Sequence, residues 1–143
     1  MERTQQFSRI DPFKGIDHES STLDKPLVLL VDSDKDNLLL LAWVLQKFNC
    51  ALIAAAQGKA AISIAQIHQP NLILLEILLP DLDGLEVITQ LRQIPETKQI
   101  TIIAVTALAK AEDKQKVLSA GGDDYISKPY MLEELETLIE HYL

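Results

Sequence analysis

The sequence predicts an α/β fold in which a parallel five-stranded sheet is covered by helices on both faces. Three observations carry that expectation. Short continuous apolar runs recur along the chain, segments of helical periodicity lie between them, and the order strand–helix repeats to the end. The length of 143 residues, with 48% hydrophobic and 24% charged residues, suits one soluble domain with a single sizeable core.

The first run is Leu27-Val28-Leu29-Leu30-Val31, the pattern of a strand buried on both faces. Similar runs are Ala51 to Ala55, Leu72 to Leu75 and Ile102 to Val105. A weaker fifth, Tyr125-Ile126-Ser127, follows the turn signal Gly121-Gly122. Between them, Leu38, Leu41, Leu45 and Phe48 make one helical stripe, and Ala60, Ile64 and Ile67 a second. Leu85, Ile88 and Leu91 make a third, Ala111 and Leu118 mark a weaker fourth, and Met131, Leu135, Leu138 and Tyr142 close the chain. Asp34 or Asp36 is placed to cap the first helix, and Gln57-Gly58 introduces the second. Trp43, beside the first stripe, reads as a packing residue.

Residues 1–25 read as a flexible N-terminal tail ahead of a domain spanning residues 26–143. Phe7, Ile10, Phe13 and Ile16 recur every third residue there, but Pro12 and Gly15 argue against a helix. The formal net charge of -8 and the absence of a dense Lys/Arg stretch disfavour direct nucleic-acid binding. No apolar run is long enough to span a bilayer and no secretory leader is evident, so a cytoplasmic protein without a membrane partner is expected. Cys50 is the only cysteine and precedes an apolar run, which marks it as a small core residue. His18, His68 and His141 lack metal-ligand spacing.

In an open α/β sheet, ligands gather at the carboxyl ends of the strands. Those ends here carry Asp32-Ser33-Asp34, Glu76, Thr106-Ala107 and Lys128-Pro129. Singly, each has a structural reading: a helix cap, a strand end, a loop lysine. Together, two acids, a hydroxyl and a lysine form a set able to hold a divalent cation and a phosphoryl group.

The segments Val31-Asp32-Ser33-Asp34, Glu76-Ile77-Leu78-Leu79-Pro80-Asp81-Leu82-Asp83-Gly84-Leu85-Glu86, Thr106-Ala107 and Asp124-Tyr125-Ile126-Ser127-Lys128-Pro129 resemble the receiver domains of two-component signalling. The resemblance implies a flavodoxin-like (βα)5 fold with strand order 2-1-3-4-5. It places Glu76 at the position of the phospho-accepting aspartate, and Asp32 with Ser33 at the paired acids that hold Mg2+. The Leu78 backbone carbonyl would complete that metal site. Thr106 and Lys128 take the phosphate-contacting positions, Tyr125 that of the aromatic switch, and Pro80 and Gly84 shape the loop before the third helix. It also implies a protein partner, a histidine kinase or a downstream effector, on the face of the fourth helix, fifth strand and fifth helix, about residues 109–141. That face would also serve a homodimer.

Two departures from the family pattern shape the functional expectation. Glu76 carries one more methylene than aspartate, which moves its carboxylate out by roughly 1.5 Å. In-line phosphoryl transfer loses on the order of a hundredfold in rate for a misplacement of about 1 Å. The longer side chain can instead reach toward Lys128 and Thr106. Ser33 supplies a neutral hydroxyl where the family has a carboxylate, so Mg2+ binding is expected to be weak. Asp34 could compensate only by leaving the helix cap. The sequence thus predicts a pseudo-receiver, a stand-alone module that acts by protein–protein interaction without phosphorylation and without enzymatic activity.

Two alternatives stand beside it. One is a conventional receiver phosphorylated in the presence of Mg2+ on Glu76 or on Asp81, which otherwise reads as a solvated turn residue. The other is a haloacid-dehalogenase-type phosphatase built on Asp32-x-Asp34, Thr106, Lys128 and Asp123-Asp124. The order of its motifs is wrong, because that family's lysine precedes its acidic pair. The plainer reading of Asp123-Asp124 is a polar turn into the fifth strand.

Overall fold

A computed structural model describes residues 25–143. The expected tail, with its phenylalanine–isoleucine spacing and His18, lies outside the described residues. Five strands, β1 (Leu27–Val31), β2 (Ala51–Ala55), β3 (Leu72–Leu75), β4 (Thr101–Thr106) and β5 (Asp124–Ser127), alternate with five helices. The helices are α1 (Lys35–Leu45), α2 (Gly58–His68), α3 (Gly84–Gln93), α4 (Ala111–Ala120) and α5 (Leu132–Tyr142). All pairings are parallel and the strand order is β2-β1-β3-β4-β5, as expected.

The continuous apolar runs have a direct cause in this architecture. Side chains alternate across a strand, so both faces must be apolar when both are covered. Val28, Leu30, Leu72, Leu74, Ile103 and Val105 pack with α1 and α5 on one side. Leu29, Val31, Ile73, Leu75, Ile102 and Ala104 pack with α2, α3 and α4 on the other. Cys50 is buried in the first of these layers. Among the described residues no helix is long and apolar enough to cross a membrane.

The helical faces depart from the expected stripes in three places. In α2 the buried residues are Gly58, Ala61, Ile62 and Ala65, and Ile67 is 73% exposed. Small residues face inward because α2 lies close against its neighbours: a Cβ added at Gly58 would come within 2.9 Å of Val87 Cγ2. In α4 the buried residue is Val117, while Leu118 points outward. Met131 sits at the N-cap of α5 and is exposed, so Leu135 and Ile139 carry that helix's packing. Trp43 also points outward, contrary to its expected packing role.

Candidate functional site

The ladder hydrogen bonds continue past the strand ends and fix the residues that follow them. Asp32 N–H donates to Ala55 O (3.1 Å), Glu76 N–H to Val31 O (2.9 Å) and Lys128 N–H to Thr106 O (2.8 Å). Asp32, Glu76 and Lys128 are thereby carried into one cleft by β1, β3 and β5. Behind Glu76, α3 begins so close that a Cβ at Gly84 would lie 2.5 Å from Ile77 Cα and 2.9 Å from Glu76 O. Only glycine fits there, which bears out its expected place in shaping the loop.

Among the described residues the buried polar side chains are Asp32, Glu76, Thr97 and Thr106. Thr97 is accounted for by its bond to Leu91 O at 2.7 Å, far from the cleft. The other three follow or end strands at the carboxyl edge. Lys128 Nζ bridges the two acids, donating to Asp32 Oδ2 at 2.7 Å and to Glu76 Oε1 at 2.8 Å. Burial disfavours the ammonium, but the hydrogen bonds and charges of Asp32 and Glu76 outweigh it and hold its pKa above the usual 10.5.

The remaining carboxylate oxygens are also engaged. Asp32 Oδ1 accepts from Asp34 N–H at 2.9 Å, and Oδ2 also accepts from Asn37 Nδ2 at 3.2 Å. Glu76 Oε2 accepts from Leu78 N–H at 2.9 Å. Leu78 therefore meets Glu76 through its N–H. Asn37 and this N–H were not singled out in the sequence, and no residue type at those positions announces the role. Ser33 is exposed. Asp34 does not swing into the cleft; it caps α1, accepting from Asp36 N–H at 2.8 Å.

Thr106 is buried, but its hydroxyl accepts from Leu108 N–H at 3.3 Å and makes no hydrogen bond to Glu76. The expected reach of Glu76 is thus met at Lys128 and not at Thr106. Tyr125 packs among the residues of the α2–α3–α4 layer, and its hydroxyl donates to Leu108 O. Burial, together with the charges of Asp113 and Glu76, raises its phenol above the usual 10.0. Thr106, Leu108, Tyr125, Asp113 and Val117 enclose a cavity of about 10 Å³, so little space remains behind the tyrosine.

Other acids singled out in the sequence lie elsewhere. Asp81 accepts from Gly58 N–H at 2.7 Å and Lys59 N–H at 3.0 Å, capping α2 from a distant loop. Asp123 pairs with Arg92 at 3.0 Å at the amino end of β5, the opposite edge of the sheet from Lys128.

The donor set can be tested against a magnesium ion. Asp32 and Glu76 offer two carboxylates, and a protein ammonium already sits between them. No cluster of three His, Cys, Asp or Glu able to hold a metal occurs among the described residues. Magnesium is commonly held by one or two carboxylates with waters completing its octahedron, so Asp32 and Glu76 offer the ligand type it takes, but Lys128 stands between them and an ion would have to displace it.

A family model described as the response regulator receiver domain matches residues 28–140. The chain belongs to that family. This receiver domain is 34% identical over 121 residues to the "Uncharacterized 14.6 kDa protein in sodA1 3'region" of Leptolyngbya boryana, covering 85% of this chain and 92% of that one. It is also 34% identical to the polar-differentiation response regulator DivK of Brucella abortus, over 81% of this chain and 94% of that one. Of the probable transcriptional regulator ycf27 of Cyanophora paradoxa, 35% identical, it spans about half the length, 49%. Among solved structures, the receiver domain of a Pseudomonas aeruginosa sensor histidine kinase superposes with a TM-score of 0.75 at 28% identity, covering 82% of this chain and 97% of that one. That structure holds a magnesium ion coordinated in its active-site cleft. The fold and the family together make this chain a receiver domain of two-component signalling.

Proposed function

We propose that this receiver is a pseudo-receiver: a cytoplasmic module that signals by binding a protein partner in a preset conformation, without a phosphorylation cycle and without catalysis. The observation that carries the reading is the Lys128 bridge. The lysine expected to greet a phosphoryl group is already committed to Glu76 Oε1 (2.8 Å) and Asp32 Oδ2 (2.7 Å). Glu76 carries the same single charge as an aspartate would, but its extra methylene extends that carboxylate toward Lys128 and holds it there without any modification.

The cleft geometry works against chemistry at the same position. Glu76 is buried and all its carboxylate oxygens accept protein donors, so an attacking oxygen would first have to break them. Ser33 offers no third carboxylate, and Mg2+ in this reading binds weakly and only in competition with Lys128. Tyr125, with its hydroxyl on Leu108 O, is turned toward the α2–α3–α4 layer. The partner, a histidine kinase or a downstream effector, engages the α4–β5–α5 side. There a groove of about 600 Å³ is bordered by Asp124, Glu133, Glu134 and His141. Its acids suit a partner surface bearing Lys or Arg.

The test is incubation with a small phosphodonor and Mg2+, read by intact mass. The wild-type chain stays unmodified, and Glu76→Asp, which restores the shorter acid, gains a phosphoryl group. Stoichiometric acyl phosphate on Glu76 of the wild type would overturn the proposal.

A further inference from the structure

α1 turns an apolar face to solvent. Leu39 is 38% exposed, Leu40 40% and Trp43 60%. Single exposed apolar residues are ordinary, but these three are neighbours at helical spacing, and one is the chain's only tryptophan. At 3.6 residues per turn, Asp36, Leu39, Leu40, Trp43 and Lys47 fall on a single stripe. Asp36 lies in the first turn of α1, and Lys47 lies just beyond the C-cap Gln46. The stripe therefore reads acid, apolar, base along the chain.

That order is its own complement when reversed. We infer that the outward face of α1 is a self-association surface, on which a second copy of this chain packs its own α1 antiparallel. About a two-fold axis beside residues 41 and 42, Leu40 faces the partner's Trp43 and Asp36 faces the partner's Lys47. The two pairings share one centre, so a single register satisfies both. A two-fold axis makes every such contact twice, which is how a short patch becomes an interface. The antiparallel arrangement also sets the helix dipoles against each other favourably.

Lys47 already donates to Glu136 Oε2 of α5 at 2.7 Å, but its side chain is 59% exposed. An ammonium carries three donors, so it can hold Glu136 and the partner's Asp36 together. The patch is small beside the roughly 800 Å² per protomer of a standard stable interface, and the net charge of -8 repels between copies. The dimer is accordingly weak and concentration-dependent. The surface shares no residue with the groove between β5 and α5.

Sedimentation velocity of the full chain over a wide concentration range tests this, with Trp43 emission as a second readout. Association is expected to shift that emission to the blue with rising concentration. Trp43→Ser, an exposed change checked for folding by circular dichroism, removes the dimer. Asp36→Lys and Lys47→Asp each weaken self-association by roughly tenfold or more, and mixing the two variants restores a heterodimer, because each then carries the charges the other needs. A monomer at every concentration overturns the inference and leaves this face to another partner. A dimer indifferent to Trp43→Ser, or a mixture no better than either variant alone, overturns it as well.

Discussion

Lys128 is the residue on which the cleft depends. It stands between two acids that are themselves almost wholly removed from water, with side chains 5% and 6% exposed, and offsets one of their two charges. Taking one partner out of a buried ion pair costs about 3–5 kcal/mol, because the charges left behind cannot be solvated. The ammonium keeps some exposure, at 19%, so Lys128→Met is expected to cost an amount at the lower end of that range, measured by urea unfolding. The pH dependence follows from the raised pKa of Lys128. A group whose pKa is higher in the folded state stabilises fully below its unfolded value, here about 10.5. That contribution is lost as pH rises through the higher folded value. Stability of the wild type should therefore fall in this alkaline window, and Lys128→Met should lack that part of the fall. The convergence of Asp32, Glu76 and Lys128 was legible in the sequence because the two acids directly follow apolar runs and Lys128 follows the weaker strand segment Tyr125-Ile126-Ser127. Asn37 and the Leu78 N–H were not legible, since their roles arise from loop geometry and not from residue type.

At the scale of the element, α2 is held in an uncommon way. Its N-cap residue Gln57 makes no side-chain bond to the helix, and the first amides are satisfied by Asp81 from the loop after β3. The Lys59 N–H is the chief cause of the lowered pKa of Asp81, opposed in part by burial. The cap therefore contributes above the unfolded value of about 3.8 and is lost as pH falls through the lower folded value. Asp81→Ala is expected to speed amide exchange at Gly58 and Lys59 while leaving α3 protected, read by hydrogen–deuterium exchange with NMR. The sequence indicated where α2 begins, but not what caps it. Asp81 lies 23 positions from Gly58, beyond the reach of any local capping pattern. The inward face of α2 is rotated from the expected one: Ala60 and Ile64 pack only partly buried and Ile67 is exposed, while Gly58, Ala61, Ile62 and Ala65 face the core, with Gly58 close against Val87.

For the molecule as a whole, the architecture was legible because burial of both sheet faces writes itself as unbroken apolar runs. The assignment of α1 was less complete. Periodicity identifies a helix's apolar side, but it cannot tell an apolar residue that finds a neighbour in the same chain from one that does not. Trp43 shows the difference. Function at this scale means a partner, and the preset reading makes a graded prediction. In a pull-down, Glu76→Asp should retain the partner bound by the wild type, because a carboxylate remains opposite Lys128. Glu76→Gln should lose most of it, because Lys128 is then held by the charge of Asp32 alone. Equal capture by all three would detach partner binding from the charge at this position.

The lysine that bridges the two acids directly follows the last strand, 96 residues after Asp32 and 52 after Glu76. Without β5, the two acids that follow β1 and β3 keep their neutral donors, Asp34 N–H, Asn37 Nδ2 and Leu78 N–H, but lose the ammonium between them. A nascent or truncated chain ending before β5 is thus penalised at its most buried polar point, and the penalty is lifted in one step when the strand arrives. The bridge thus ties the two acids of the sheet's middle strands to the segment that follows the last strand in the chain.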